Sequence, residues 1–186
     1  MEFFLNIPNN KTDNTLTEQI LSENDSIEFH KTLPNYSNSQ LFELKSLSTN
    51  LGCGNIYLKD ESTRFNLNAF KGLGASYAIK KLLMDQPETP VFCTATDGNH
   101  GKAVAWSALI NKKKSVVYVP KDTTAERIDA IAQFGGEVIQ LNMNYEETCN
   151  YAAEQSSLNS WMLVQDTSWD GYEKIPALIM SGYLTH

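Results

Sequence analysis

Beyond Pro90 the chain alternates between short unbroken apolar runs and longer stretches whose apolar residues recur at helical spacing. Val91 to Ala95 predicts a buried parallel strand. Gly101 to Asn111 then turns Val104, Ala105 and Ala108 inward as one helical face. Val116 to Val119 predicts a second buried strand, ended by Pro120. Thr123 and Glu126 have the spacing of a capping box before a helix with Ile128, Ile131 and Ala132 on its inner face. Gly135-Gly136 closes that helix ahead of a strand over 137–141. Asn144 and Glu147 open another helix to about Ser156, and 161–165 predicts a further strand. Ile175 to Leu184 again has a helical pattern, and no terminator follows it.

Before Pro90 the pattern is less regular. The Asn-, Thr- and Ser-rich start predicts an irregular arm with one short helix from about Thr17 to Asn24. After Pro34, Ser37-Asn38-Ser39 offers a cap to a core-packing helix through Leu41, Leu44, Leu47 and Leu51, stopped by Gly52 and Gly54. Asn55 to Asp60 reads as a strand, and Ala69 to Met84 as a helix with Leu73, Tyr77, Ile79, Leu82 and Leu83. Gly72 and Gly74 lower the propensity of that helix, so they imply close approach of a ligand or backbone, or tight packing against the sheet. Strands alternating with helices of these lengths predict right-handed βαβ units in a three-layer αβα, mainly parallel α/β fold. In such sheets ligands bind beyond the carboxyl ends of strands, where Asp97 to Asn99 and Asp166 fall.

Composition narrows the class. The 186 residues carry a formal charge of -7, which opposes nucleic-acid binding, since that needs a basic surface. Cys53, Cys93 and Cys149 have neither metal nor redox spacing, which suits a reducing, cytoplasmic location. His30, His100 and His186 are dispersed, so no metal site is expected. The first residues lack the basic and apolar regions of a signal peptide, and no stretch is long enough to span a membrane.

Two stretches could carry chemistry. Asn68-Ala69-Phe70-Lys71 puts a lysine at the mouth of a helix. A lysine on a helix is ordinarily a solvated surface residue. Lys71, among Phe70, Leu73 and small residues, would be partly desolvated, with the depressed pKa that imine formation with a carbonyl requires. Thr96-Asp97-Gly98-Asn99-His100-Gly101 reads plainly as a strand-to-helix loop, or as exposed amides that bind an anion such as a substrate carboxylate.

Together these motifs resemble the fold-type II pyridoxal-phosphate enzymes, the tryptophan-synthase-β-like group, and within it the ammonia-lyases of 2,3-diaminopropionate. Lys59-Asp60-Glu61-Ser62, Pro120 through Arg127, and Gln165-Asp166-Thr167 with Trp169, Gly171-Tyr172 and Ile175-Pro176 follow in the same order. The resemblance implies pyridoxal 5'-phosphate as cofactor, joined as an imine to Lys71, which could also take the α-proton of an L-substrate. Phe70 would lie near the cofactor ring and Asn99 would contact its phenolic oxygen. Thr96, Gly98 and His100 would lie against the substrate. Relatives acting on L-serine or L-threonine place Ser where Asp97 stands. In the ammonia-lyases Asp97 would be the base for the D-isomer, and Asp166 would assist on the same face. The reaction implied is α,β-elimination of diaminopropionate to pyruvate and ammonia by a homodimer.

The same resemblance implies a glycine-rich phosphate loop late in the chain, and none follows Asp166. The chain therefore reads as the N-terminal half of such an enzyme. Residues 1–96 would be an arm and the first part of the large domain, 97–165 a small α/β domain, and 166–186 a return to the large one. Two alternatives stay open: an inactive fragment, or a serine/threonine dehydratase relative.

Overall fold

The computed structural model describes residues 25–184. The helix expected over 17–24 and His186 lie outside them. The elements run α1 (Ser26–Lys31), β1 (Gln40–Glu43), α2 (Lys45–Leu51), β2 (Tyr57–Asp60), α3 (Lys71–Asp85) and β3 (Val91–Ala95). Then come α4 (Asn99–Ile110), β4 (Lys114–Val119), α5 (Ala125–Ala132), β5 (Glu137–Gln140), α6 (Tyr145–Leu158), β6 (Met162–Leu163) and α7 (Lys174–Tyr183).

A four-stranded sheet, in the order β5-β4-β3-β6, is parallel throughout. Its strands are apolar on both sides because both faces are covered. Phe92 packs with Ala103, Val104 and Ala108 of α4, while Val117 and Val119 meet Ala105 and the α5 residue Ile131. The alternate residues Cys93, Ala95, Val116 and Tyr118 face Ala152 of α6. Helices on both faces make the expected three-layer αβα arrangement, with α3 and α7 packed behind α4 through Ala75, Ile79 and Ile179.

The first half departs from expectation in one place. Leu41 and its neighbours form β1, which pairs antiparallel with β2 from Gln40↔Asp60 to Glu43↔Tyr57. Only 45–51 is helical, and that helix buries no residue, so the expected core-packing helix is corrected. Pairing with β2 overrides the leucine spacing, as tertiary context commonly does. The capping box expected at Thr123 and Glu126 is also absent. The N-cap is Thr124, one residue later, with no side-chain cap hydrogen bond. The box at Asn144 and Glu147 is complete, with Asn144 accepting from the Glu147 amide at 3.0 Å and its own amide donating to the Glu147 carboxylate at 2.9 Å.

The glycines of α3 are packing residues. A Cβ on Gly74 would stand 2.7 Å from Ile179 Cγ2 and 2.8 Å from the Ile179 carbonyl. One on Gly182 would stand 2.7 Å from the Leu73 carbonyl and 2.8 Å from Gly74 Cα. The two glycines let α3 and α7 touch backbone to backbone, rather than α3 pressing on the sheet. Because the clash is with main chain, Gly182→Ala should lose roughly 1–3 kcal/mol in denaturant unfolding despite the better helix propensity of alanine.

Helix α1 is fastened to α3 by Tyr77, which donates to Asp25 Oδ1 at 2.5 Å, and by Lys81, which donates to Asp25 Oδ2 at 3.1 Å. His30, wholly buried, donates from Nε2 to the Leu73 carbonyl at 2.9 Å. Burial pushes its pKa down to about 4, against the opposing effect of the Leu73 hydrogen bond. The folded chain therefore holds His30 neutral where the unfolded chain protonates it, so stability is present above pH 6.5 and is lost as pH falls toward 4. Urea unfolding should record that loss, with His30 contributing roughly 3 kcal/mol. His30→Gln should flatten the slope in part, since His100, Asp25 and Asp166, whose folded pKa values are also lowered, contribute to it as well.

Candidate active site

Lys71 is the first residue of α3, capped by Phe70, and its side chain is 29% exposed. Its ammonium donates to Asp166 Oδ2 at 2.8 Å. It also lies 5.5 Å from the centre of the Phe70 ring and 5.8 Å from that of Tyr183. Those rings meet edge to face at 5.1 Å, forming an aromatic collar around the amine. Tyr183 reaches this point because Gly74 and Gly182 bring α7 against α3.

Asp166 is fixed through its neighbour Gln165. The buried Gln165 Oε1 accepts from Thr94 Oγ1 and from the Ala95 amide, each at 3.0 Å. The Gln165 amide itself is 2.9 Å from Tyr172 Oη, which donates in turn to the Leu163 carbonyl at 2.8 Å. The side chain of Gln165 thus continues the β3–β6 pairing past its last backbone bond, carrying Asp166 to the carboxyl end of β3.

Thr96 closes β3 with its amide on the Tyr118 carbonyl at 3.0 Å, and its hydroxyl accepts from the Gly98 amide at 3.1 Å. Gly101 then packs directly on Thr96 and Val117, where a Cβ would collide. The His100 ring lies beneath this turn, 4% exposed, with Nε2 donating to the Val164 carbonyl at 2.8 Å. Its Nδ1 is 3.6 Å from Asp166 Oδ2 and has no hydrogen-bond partner.

The sequence-based candidates fall into two groups. Lys71, Phe70, His100 and Asp166 come together. Asp97, Gly98 and Asn99 instead line an adjoining cavity of about 340 Å³ with Lys102, Glu126 and Arg127. Asp97 is exposed there; its carbonyl accepts from Arg127 at 3.1 Å and its Oδ2 lies 3.6 Å from the same guanidinium. Thr96 is buried beneath the turn. Three contributors went unrecognised in the sequence. Tyr183 reads as one more apolar helical position, Gln165 as part of a motif, and Lys102 as an ordinary surface cation. Among the described residues no cluster could hold a metal ion.

The electrostatics correct one expectation. Burial lowers the Lys71 pKa, but the Asp166 hydrogen bond, together with the Tyr183 hydroxyl and the Asp166 charge, outweighs it and leaves it above the ordinary lysine value. Burial works against Asp166 as well, yet His100 and Lys71 hold its carboxyl below the usual range. His100 lowers the Asp166 pKa only as an imidazolium; burial lowers its own pKa, so at neutral pH the ring is neutral and the charge on Asp166 comes from Lys71.

A largely buried primary amine inside an aromatic collar suits an aromatic aldehyde. The buried Tyr183 hydroxyl, close to the Lys71 amine, adds a polar group there. Lys71 could hold such a cofactor covalently, with Phe70 and Tyr183 against its ring.

The comparisons agree with this geometry. Residues 32–182 match the model of the family described as pyridoxal-phosphate dependent enzyme. The chain belongs to that family. It is 45% identical over 178 residues to a diaminopropionate ammonia-lyase of Salmonella typhimurium, covering 84% of this chain and 44% of that protein. It is 38% identical over 201 residues to the Escherichia coli diaminopropionate ammonia-lyase, covering 97% of this chain and 50% of that one. A crystal structure of the E. coli enzyme with an aminoacrylate-PLP azomethine intermediate superposes with TM-score 0.87 at 39% identity, over 95% of this chain and 48% of that one. Another, with D-serine, gives TM-score 0.85 at 39% identity over 89% of this chain and 47% of its own. The chain spans about half the length of these relatives. The fold is therefore that of the fold-type II pyridoxal-phosphate enzymes, as the sequence resemblance implied.

Asp166→Asn keeps the shape of the pair and removes its charge. The Lys71 pKa should then fall, so the pH profile for competitive labelling of its amine should move to lower pH. An unmoved profile would show that Asp166 does not control the amine.

Proposed function

We propose that this chain carries the lysine-bearing half of a pyridoxal-phosphate-dependent ammonia-lyase acting on 2,3-diaminopropionate. The observation that carries the reading is the Lys71 amine held on Asp166 inside the Phe70–Tyr183 collar, at the strand ends where Asp97 also lies. When bound, the cofactor supplies an electron sink for the carbanion formed at the substrate Cα. Lys71 is the attachment point and moves the proton at Cα of the L-substrate. Asp97 takes the Cα proton of the D-isomer, and Asp166 assists. Phe70 and Asn99 orient the cofactor, while Thr96, Gly98 and His100 shape the loop that meets the substrate. The exposed Asp97 carboxylate attracts the second amino group of a diamino acid in its ammonium form, which favours this substrate over serine or threonine. With one water, diaminopropionate gives pyruvate and two ammonia molecules.

The reading extends to the whole enzyme. Residues 97–165, with α4, β4, α5, β5, α6 and β6, would make its small domain, flanked by large-domain segments in 1–96 and 166–186. Exposed Leu41, Phe42, Leu51 and Leu58 on β1, α2 and β2 support assembly as a homodimer. The free thiols of Cys53, Cys93 and Cys149 support a cytoplasmic location. Among the described residues no helix is long and apolar enough to cross a membrane.

Pyridoxal phosphate followed by borohydride should attach one pyridoxyl group to this chain, on Lys71, and none to Lys71→Ala. The full-length enzyme should release pyruvate from D- and L-diaminopropionate, and Asp97→Ser should lose the D-isomer activity preferentially. Pyruvate or ketobutyrate from L-serine or L-threonine alone would replace this reading with a dehydratase.

A further inference from the structure

The His100 ring is tethered in a way that fixes its chemistry. Its Nε2 faces the Val164 carbonyl, which can only accept, so Nε2 carries the hydrogen; burial lowers the ring's pKa, and in the neutral ring Nδ1 is a bare lone pair. That lone pair is buried, has no partner, and is 3.6 Å from the Asp166 oxygen that Lys71 already occupies. Two acceptors face one another without a proton between them. A buried acceptor left unsatisfied is costly, and native structures seldom keep one without a use.

The other titratable groups around Asp166 are Tyr145, Cys149, Tyr172 and Tyr183, each held neutral chiefly by burial. The cation acting on Asp166 is therefore Lys71. A lysine that attacks a carbonyl must first lose its proton, which would strand a half-buried carboxylate.

We propose that His100 is a positioning residue that makes Asp166 the proton acceptor for Lys71: Nζ passes one proton to Asp166 Oδ2, and the resulting O–H is held by His100 Nδ1. One N–H bond breaks and one O–H bond forms. The ion pair becomes two neutral groups, and no other reactant is consumed. Closing the oxygen onto Nδ1 takes a movement of roughly 0.8 Å to reach ordinary hydrogen-bond length. The inference goes deeper into the reading of Lys71 as the reactive amine and rests on it.

Histidine-labelled nitrogen NMR on the protein tests the pair without cofactor. In the wild type at neutral pH, His100 should show a protonated Nε2 and a bare Nδ1. Lys71→Met, or Lys71→Gln should the first variant misfold, removes the cation. The Nδ1 resonance should then move toward the hydrogen-bonded or protonated position, and adding Asp166→Asn should cancel the shift. A bare Nδ1 across the acid-to-neutral range in a folded Lys71 variant would overturn the proposal, as would a shift that survives Asp166→Asn. A second reading is the rate of borohydride-trapped pyridoxyl attachment against pH. His100→Gln should slow it at least roughly tenfold at neutral pH, with the gap closing as alkali deprotonates Lys71 directly. A deficit constant at every pH would mean a structural role only and would also overturn the proposal. Failure of wild-type attachment would instead count against the cofactor reading and leave the NMR result intact.

Discussion

The ion pair between Lys71 and Asp166 joins residues 95 positions apart, and the surrounding structure is arranged to make it. One partner opens α3, and the other follows β6 at the carboxyl edge of the parallel sheet. Two kinds of contact bring them together. The glycine contact between α3 and α7 sets Tyr183 over the amine, while the Gln165 side-chain oxygen, accepting from the Ala95 amide, extends the β3–β6 pairing and holds the chain next to Asp166. Both groups are largely withdrawn from water, so neither is easily left alone: removing one strands a partly desolvated charge on the other.

This pairing creates a tension between stability and chemistry. Asp166 steadies the ammonium, yet an attacking lysine must be the neutral amine. The fold places a bare imidazole nitrogen against the same carboxylate, which gives a displaced proton somewhere to reside. Asp97 belongs to a wetter setting, exposed beside Arg127, Lys102 and Glu126. Two carboxylates at adjoining strand ends thus have different environments, one buried and paired and one open, a basis for separate roles.

Much of this was legible in the sequence. Unbroken apolar strands such as Val91–Ala95 and Val116–Val119 can be read because both sheet faces are covered. Chain order places Lys71 and the Asp97–Gly101 turn at one sheet edge, but each stretch alone reads plainly, and only their resemblance to a known family singles them out. What could not be read was set by contacts distant in sequence. Leu41 follows helical spacing but pairs with Lys59 in a strand. The raised pKa of Lys71 depends on a partner that no local pattern announces. Tyr183 and Gln165 look like packing and motif residues until the fold brings them to the amine and the carboxylate.

The most direct test of the account is a double-mutant cycle on stability, using Lys71→Met and Asp166→Asn singly and together. If the pair joins the two segments as described, the double variant should be more stable than the sum of the single losses allows, by a coupling on the order of 1 kcal/mol or more. Additive losses, with coupling below about 0.3 kcal/mol, would mean the two groups lie near each other without depending on each other, and would contradict it.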